Sequence, residues 1–356
     1  MDPYRDPHPN QGRIRAVPVR IAVVGAGKFG ERHITTLSKI QDEGLCNLVA
    51  AVDTSKEQLR RIVDCDCRLE TSLSSVLPDV DAVDIVTPAS THYELARQCL
   101  LANKHVIIEK PMTTSFRESV DLHNLGIDRR RVVGVGHQFR YHKLTERLKE
   151  YISSGKIGNI SLLEGKFLNP NEPRKDVGSI LNYSHFVDLC NYLLDSQPLS
   201  VNCSVFKTGG NSFENDAMTI LDYPSGIQAK LHVGWAGRRK KRYFAVEGSR
   251  ATITADYLGQ SLEVLTGDSK TGIVSDDLEL EHSLETEPLY LELNDFLNCI
   301  ESGATPLASS YSGVLSVYVC QRALQSALEH RALPCGIQES TFTGKLLLST
   351  ESIAVR

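Results

Sequence analysis

Three glycines, one aspartate and one lysine carry the chemistry that is most legible in the chain. Gly25, Gly27 and Gly30 stand in a G-x-G-x-x-G run, with Lys28 and Phe29 inside it, directly after the apolar stretch Ile21-Ala22-Val23-Val24. In such a run the first glycine permits a tight turn, the second lets backbone approach a pyrophosphate, and the third lets the next helix pack close to its strand. A helix from about Phe29 points its N-terminal N–H groups and positive dipole end at the phosphates. Leu48 to Val52 reads as a second buried strand ending in Asp53. An acid roughly 20 residues past the loop accepts hydrogen bonds from an adenosine ribose. Its charge repels a 2′-phosphate, so NAD is expected over NADP, with Lys56 keeping NADP as the lesser option. Lys110 lies in Glu109-Lys110-Pro111 at the end of another apolar run, where a strand's carboxyl end carries it toward the nicotinamide. The proline restrains Lys110 to extended backbone and admits a cis bond, although a Lys-Pro pair alone also reads as a surface turn.

These residues need a scaffold, and the pattern around them supplies one. From Val19, strands and helices alternate: strands at Ile21 to Val24, Leu48 to Val52, Ala82 to Val86, His105 to Ile108 and Val132 to Val135, with helices between them. Five such strands predict a doubly wound parallel sheet, a Rossmann domain whose ligand sits off the carboxyl ends of the strands. The loops at Gly25, Asp53, Thr87-Pro88, Glu109 and Gly136 then ring one crevice. Beyond Gly136 the texture changes. Helices at about 143–153 and 179–194 accompany strand-like runs at 160–167, 201–206, 217–223, 227–233, 243–247 and 252–255. Turn signals at Tyr223-Pro224-Ser225-Gly226 and Glu247-Gly248-Ser249-Arg250 mark a mostly antiparallel open sheet, hence an α+β second domain. Helices at about 289–302 and 310–330 close the chain. The expected division is a flexible tail over 1–18, a dinucleotide-binding domain over 19–136, and a substrate-binding and oligomerisation domain over 137–356.

Composition narrows the partners. The 356 residues are 41% hydrophobic and 23% charged, with a net charge of −5, which offers no electrostatic footing for nucleic acid or an anionic membrane. No apolar run is long enough to span a bilayer and the first residues lack a signal-peptide core, so a cytoplasmic protein is expected. Nine scattered cysteines include no C-x-x-C; only Cys65 and Cys67 are close, with no histidine cluster beside them. Buried or idle thiols are expected, and no metal site.

The order of these pieces resembles the Gfo/Idh/MocA family, the glucose-fructose oxidoreductase and inositol dehydrogenase group. The resemblance runs from Val19 to about Arg331 and is carried by GAGKFGERH at 25–33, VDTS at 52–55, TPASTHYELARQCLLANKHVIIEKP at 87–111 and EPLYLELNDFLNCIESGATPL at 287–307. It implies that Lys110 contacts both the nicotinamide ribose and a substrate hydroxyl and aids proton transfer. It also points to 176–188, where members commonly carry D-x-G-x-H on a helix face turned to the cofactor. Here His185 is kept, Asn182 stands where the aspartate is usual, and Ser184 stands where the glycine is usual. Residues 182 and 185 are i and i+3 and share a face of one helix. An amide orients a hydroxyl but takes no proton, which leaves His185 as the general base. Tyr183 is a lesser proton donor, directed to another side of the helix. His92 resembles a position lining the cofactor crevice and equally suits a helix cap. Arg140 suits substrate binding or a bridge between domains.

Arg238-Arg239-Lys240-Lys241-Arg242 admits two readings, a solvated turn or a clamp for a diphosphate. DVGSILN at 176–182, ENDAMTILDYPSG at 214–226 and VEGSRATITADYLGQSLEV at 246–264 look like family members that oxidise the 3-hydroxyl of UDP-N-acetylglucosamine or its uronate. The resemblance thus implies an NAD-dependent oxidoreductase acting on a secondary hydroxyl of a sugar, at C3 of a nucleotide-linked amino sugar. A free-sugar or inositol dehydrogenase and a ketosugar reductase are the alternatives. A non-catalytic NAD-binding regulator is the alternative of a different class, against which Glu109-Lys110-Pro111 and His185 argue. It implies a homodimer or homotetramer as well.

Overall fold

Burial of both faces of a β-branched run is what makes the first sheet. The computed structural model describes residues 18–62, 65–170, 173–207, 213–235, 238–266, 287–337 and 345–346, and these fall into two compact units. The tail expected over 1–18 lies outside the described residues except for Pro18. In the first unit β1 (Val19–Val24) is followed by α1 (Lys28–Asp42), β2 (Cys46–Val52), the single turn α2 (Lys56–Leu59) and β3 (Arg68–Glu70). Then come β4 (Ala82–Ile85), α3 (His92–Leu101), β5 (His105–Ile108), α4 (Phe116–Arg129) and β6 (Val133–Val135). The strands lie in the order β3-β2-β1-β4-β5-β6, all parallel. All their carboxyl ends therefore share one edge, with the reversal of order next to β1, where doubly wound sheets take ligands. The sheet has six strands rather than five. The short, mostly exposed β3 carries no apolar run to announce it.

The second unit is built on a larger sheet. Its chain runs α5 (Lys143–Ser153), β7 (Ile160–Leu168), α6 (Ser179–Asn182), α7 (His185–Leu194), β8 (Ser200–Phe206), β9 (Asp216–Asp222), β10 (Gln228–Gly234), β11 (Lys241–Gly248), β12 (Ala251–Asp256) and β13 (Ser261–Thr266). The strand order is β13-β12-β11-β7-β10-β9-β8-β14, where β14 is Leu333–Pro334. Among the described residues only β7 and β10 pair in parallel, so the sheet is mostly antiparallel. The turn after β9 forms at Pro224–Gly226, with Ser225 and Gly226 at positive φ. The helix expected over 179–194 is two helices. At the break the Ser184 N–H reaches back three residues to Leu181 and the Phe186 N–H three to Tyr183, so the four-residue ladder of an α-helix lapses there. Residues 182 and 185 are thus not i and i+3 on one continuous helix.

After β13 the chain returns, before its last strand β14. Helix α8 (Pro288–Ser302) has proline in its first turn and Gly303 at positive φ just past its end. Its stripe of Leu289, Leu293, Phe296 and Leu297 packs into the first unit's core with Val19, Ile21 and Leu37. Residues 287–314 therefore belong to the first unit, where the expected division put everything after 137 in the second. Helix α9 (Ser310–Glu329) follows. Seven cysteines are buried free thiols, as expected. Cys65 and Cys67 instead form a disulfide, their Cα atoms 5.3 Å apart, inside the roughly 4.4–6.8 Å range that a bridge needs. No group of three or more potential metal ligands occurs among the described residues.

Candidate active site

The glycine loop is held by its own backbone. Gly25 has φ +105°, and a Cβ there would sit 2.5 Å from the Val86 carbonyl oxygen. At Gly30 a Cβ would lie 1.8 Å from the Gly25 carbonyl oxygen, so loop and helix close only without side chains at both positions. Gly27 is different: beyond its chain neighbours, a Cβ there meets no atom of the described residues within 4 Å. Gly27 begins α1 with no side-chain cap on the first-turn N–H groups. Bare backbone at a helix N-terminus beside open space fits a pyrophosphate. Lys28 is exposed at this end, and Phe29 lies 4.9 Å edge-on from His33.

Asp53 serves the loop directly. Its carboxylate accepts from the Ala26 N–H at 2.8 Å and from the Ser55 N–H at 2.8 Å. Those bonds leave acceptor capacity for a ribose, and they tie the end of β2 to the loop after β1. The loop after β4 is tied in a similar way. The buried His92 ring lies 2.8 Å from the Thr87 carbonyl through Nε2 and 2.9 Å from the Pro111 carbonyl through Nδ1. Thr87 also accepts from the Thr91 hydroxyl at 2.8 Å, and Pro88 is exposed. His92 thus links two loops at the carboxyl edge; its side chain caps no helix.

Lys110 follows β5, its bond to Pro111 is cis, and its N–H donates to the Glu109 carboxylate at 3.0 Å. Glu109 in turn belongs to a buried ionic cluster. His33 Nδ1 is 2.8 Å from Asp84, and its Nε2 is 3.5 Å from Glu109, a separation for charge attraction rather than a close hydrogen bond. Burial opposes a charge on His33, yet the two carboxylates outweigh it and raise the imidazole to about 10. Burial also opposes charge on Glu109, and the His33 imidazolium overrides it to lower that carboxyl. Glu292 of α8, buried nearby, is pushed well above its ordinary value by burial and by the Glu109 charge. The sequence reading missed His33, Asp84 and Glu292. A signal existed: Asp84 interrupts the apolar run 82–86, and His33 shares a helix stripe with Leu37 and Ile40.

The second unit contributes a separate cluster. His185 opens α7 and is buried 5.0 Å from the Phe139 ring. Helix α7 approaches the sheet closely because Gly165 of β7 leaves room for Phe186, which would lie 2.7 Å from a Cβ there. Tyr183 packs on Phe167 at 4.5 Å, and burial pushes its hydroxyl up to about 12, which makes it a poor proton donor near neutrality. Asn182 is buried and accepts from Arg174 at 3.3 Å, while Arg174 also holds Asp176. Arg140 makes two bonds of 2.8 Å to Asp188 and lies 4.8 Å from the Tyr192 ring. This buried fork-to-fork pair orders the second unit itself, and the guanidinium expected to bind substrate or bridge domains faces a carboxylate inside one unit.

Of the five-base run, Arg238, Arg239, Lys240 and Lys241 are exposed, as a solvated turn requires. Arg242 is not. It turns inward over the Phe167 ring at 4.3 Å.

Comparison with known proteins agrees with this arrangement. Residues 19–137 match the model of the GFO/IDH/MocA oxidoreductase family with an NAD-binding Rossmann fold, and residues 145–254 match the family's C-terminal domain. Inositol 2-dehydrogenase of Rhizobium meliloti is 26% identical over 332 residues, 88% of this chain and 98% of that protein. UDP-N-acetylglucosamine 3-dehydrogenase of Acidithiobacillus ferrooxidans is 26% identical over 320 residues, 88% and 97% of the two chains. The solved structure of the latter enzyme superposes with a TM-score of 0.77 at 24% identity, covering 87% of this chain and 98% of that one. Levoglucosan dehydrogenase in complex with NADH and levoglucosan gives 0.80 at 21%, covering 89% and 99%. With the glycine loop on β1, the lysine after β5 and both domain models matched in order, the chain belongs to the Gfo/Idh/MocA family of NAD-binding oxidoreductases.

Proposed function

We propose that the protein transfers hydride between the nicotinamide of NAD and a secondary carbinol carbon of a sugar, at C3 of a nucleotide-linked amino sugar. The observation that carries the reading is Lys110 at the carboxyl end of β5, its backbone held by the Glu109 carboxylate, on the edge that also presents the glycine loop. NAD, held by the glycine loop and Asp53, would supply the hydride acceptor. The chain's own residues handle the proton. His185 takes it from the hydroxyl as the C–H bond is broken, and Lys110 donates a hydrogen bond to the oxygen that becomes the carbonyl. R₂CHOH thereby loses a hydride and a proton to give R₂C=O, the proton ending on His185 and the hydride being what NAD would accept. Asn182 orients substrate without entering the proton inventory. The nucleotide-sugar choice is supported by the UDP-N-acetylglucosamine 3-dehydrogenase match over nearly its whole length. A free cyclitol is the second reading, because inositol 2-dehydrogenase matches at the same identity.

A substrate panel run in both directions, following nicotinamide absorbance, decides among these. It contains UDP-N-acetylglucosamine, its uronate, glucose and myo-inositol. In Lys110→Ala, kcat/KM is expected to fall at least about 100-fold with NAD affinity largely retained. Unaltered turnover in that variant overturns the mechanism, and turnover of free sugars or cyclitols alone overturns the nucleotide-sugar assignment.

A further inference from the structure

We infer that Arg242 is an oxyanion-docking residue of the second unit, receiving a carboxylate or phosphate carried by the substrate. Arg242 sits on β11 opposite Phe167 of β7. Its guanidinium lies 4.3 Å from the Phe167 ring and 5.9 Å from the Phe139 ring. Among the described residues it forms no ion pair, and its Nε is buried without a hydrogen-bond partner. This contrasts with Arg140 and Arg174 of the same unit, each of which holds a carboxylate in a fork. A guanidinium cannot shed its proton to escape a poor environment. Stacking on aromatic faces offsets part of that cost and leaves the in-plane N–H donors for another group.

Among the described residues no carboxylate pairs with Arg242. Burial pushes Arg242 below its ordinary value, and among the described residues the Tyr183 phenol acts to raise it. Burial and the Arg242 charge together push His142 down to about 4, so the imidazole is neutral, and its Nδ1 accepts from the Leu144 N–H. Phe139 and Phe167 are shared surfaces. Phe139 touches Arg242 on one side and His185 at 5.0 Å, and Phe167 carries both Arg242 and Tyr183. An anion held by Arg242 is thus one aromatic ring removed from the candidate base. A planar, doubly presenting oxyanion is the chemistry that a stacked guanidinium matches. Sugar carboxylates and the phosphates of a nucleotide sugar both qualify.

The inference rests on the reading of this cluster as the sugar site, and the test separates the two. The full-length protein loaded with NAD is titrated calorimetrically with glucuronate, UDP-N-acetylglucosamine, its uronate, glucose and myo-inositol, as wild type, Arg242→Gln and Arg242→Lys. Turnover is measured alongside. Arg242→Gln is expected to weaken at least one anionic ligand by about 10- to 100-fold and to change neutral ligands little, with Arg242→Lys in between. The melting temperature is expected to hold or rise, because a half-buried cation with no carboxylate partner among the described residues is removed. A glucuronate-specific loss assigns the carboxylate, and a UDP-N-acetylglucosamine loss assigns the phosphates. Equal loss for neutral and anionic ligands with a lowered melting temperature makes Arg242 structural and overturns the inference. So does failure of every anionic ligand to bind wild type. If anions bind through Arg242 and no sugar is oxidised, the dehydrogenase reading fails and the anion site stands; if neutral sugars are oxidised equally by all three proteins and anions bind no better, the reverse holds.

Discussion

Glu292 shows how one side chain couples the cofactor edge to pH. Both of its carboxyl oxygens are buried without a hydrogen-bond partner among the described residues, and the Glu109 charge repels its ionised form. A carboxyl raised in the folded state holds a proton that the unfolded chain releases above about pH 4.5. Stability then declines by about 1.4 kcal/mol per pH unit from pH 4.5 upward while the folded carboxyl stays protonated. Glu292→Gln removes that slope, so its melting temperature is expected to exceed wild type at pH 7 and to converge with it near pH 4.5. A variant less stable than wild type at pH 7 contradicts this. His33 behaves with the same sign in another window. Its imidazole is raised from 6.5 to about 10, so its contribution is complete below pH 6.5 and lost as pH climbs to about 10. At this scale the glycines, Asp53 and Lys110 were legible because local spacing announces them. Glu292 was not, because Glu109, Asp84 and His33, which act on it together with the nearby Asp295, are some 180 to 260 positions earlier in the chain and only packing brings them together.

Elements translate the glycine loop into two separable predictions. Gly27→Ala adds a methyl where, beyond its chain neighbours, no atom of the described residues lies within 4 Å, whereas Gly30→Ala drives a Cβ to 1.8 Å from the Gly25 carbonyl oxygen. Gly27→Ala is therefore expected to melt within about 1 kcal/mol of wild type and to lose NAD affinity, since its methyl occupies the approach to the pyrophosphate. Gly30→Ala is expected to lose stability and NAD affinity together. Melting curves with and without NAD, and calorimetry for affinity, separate the cases; equal destabilisation by both variants rejects the assignment. Strands β1, β2, β4, β5 and β6 were readable because each is an apolar run ended by glycine, proline, threonine or an acid, and α1 because its apolar stripe recurs at helical spacing. The break between α6 and α7 was not. Its sequence, Asn182-Tyr183-Ser184-His185, holds no glycine or proline to announce a stop, and the lapse comes with tertiary contacts, Tyr183 on Phe167 and Phe186 against Gly165. The inward turn of Arg242 was hidden for a related reason: five consecutive bases look alike until the strand's alternation assigns one of them a buried side.

At the scale of the whole molecule, chain order and packing part company. Helix α8 follows β13 of the second unit's sheet in sequence and joins the first unit in space, because its leucine and phenylalanine stripe completes the core beneath α1 and β1. No local pattern states which core a stripe will enter. The second unit's sheet raises the matching question about its outward residues. Along β9, Ala217, Thr219 and Leu221 are buried, while Met218 and Ile220 alternate to the other face and are 51% and 36% exposed. Their cross-strand neighbours on that face are Ser204 and Asn202 of β8 and His232 and Lys230 of β10, a mixed surface of the kind found at interfaces between subunits. We propose that a second copy of the chain covers it, burying about 800 Å² per subunit or more. Light scattering at micromolar concentration is expected to show a dimer or tetramer. Met218→Glu combined with Ile220→Lys is expected to shift it to monomer without unfolding it, since both side chains already reach solvent in the single chain. A monomeric wild type, or a double variant whose assembly is unchanged, removes this face from the interface.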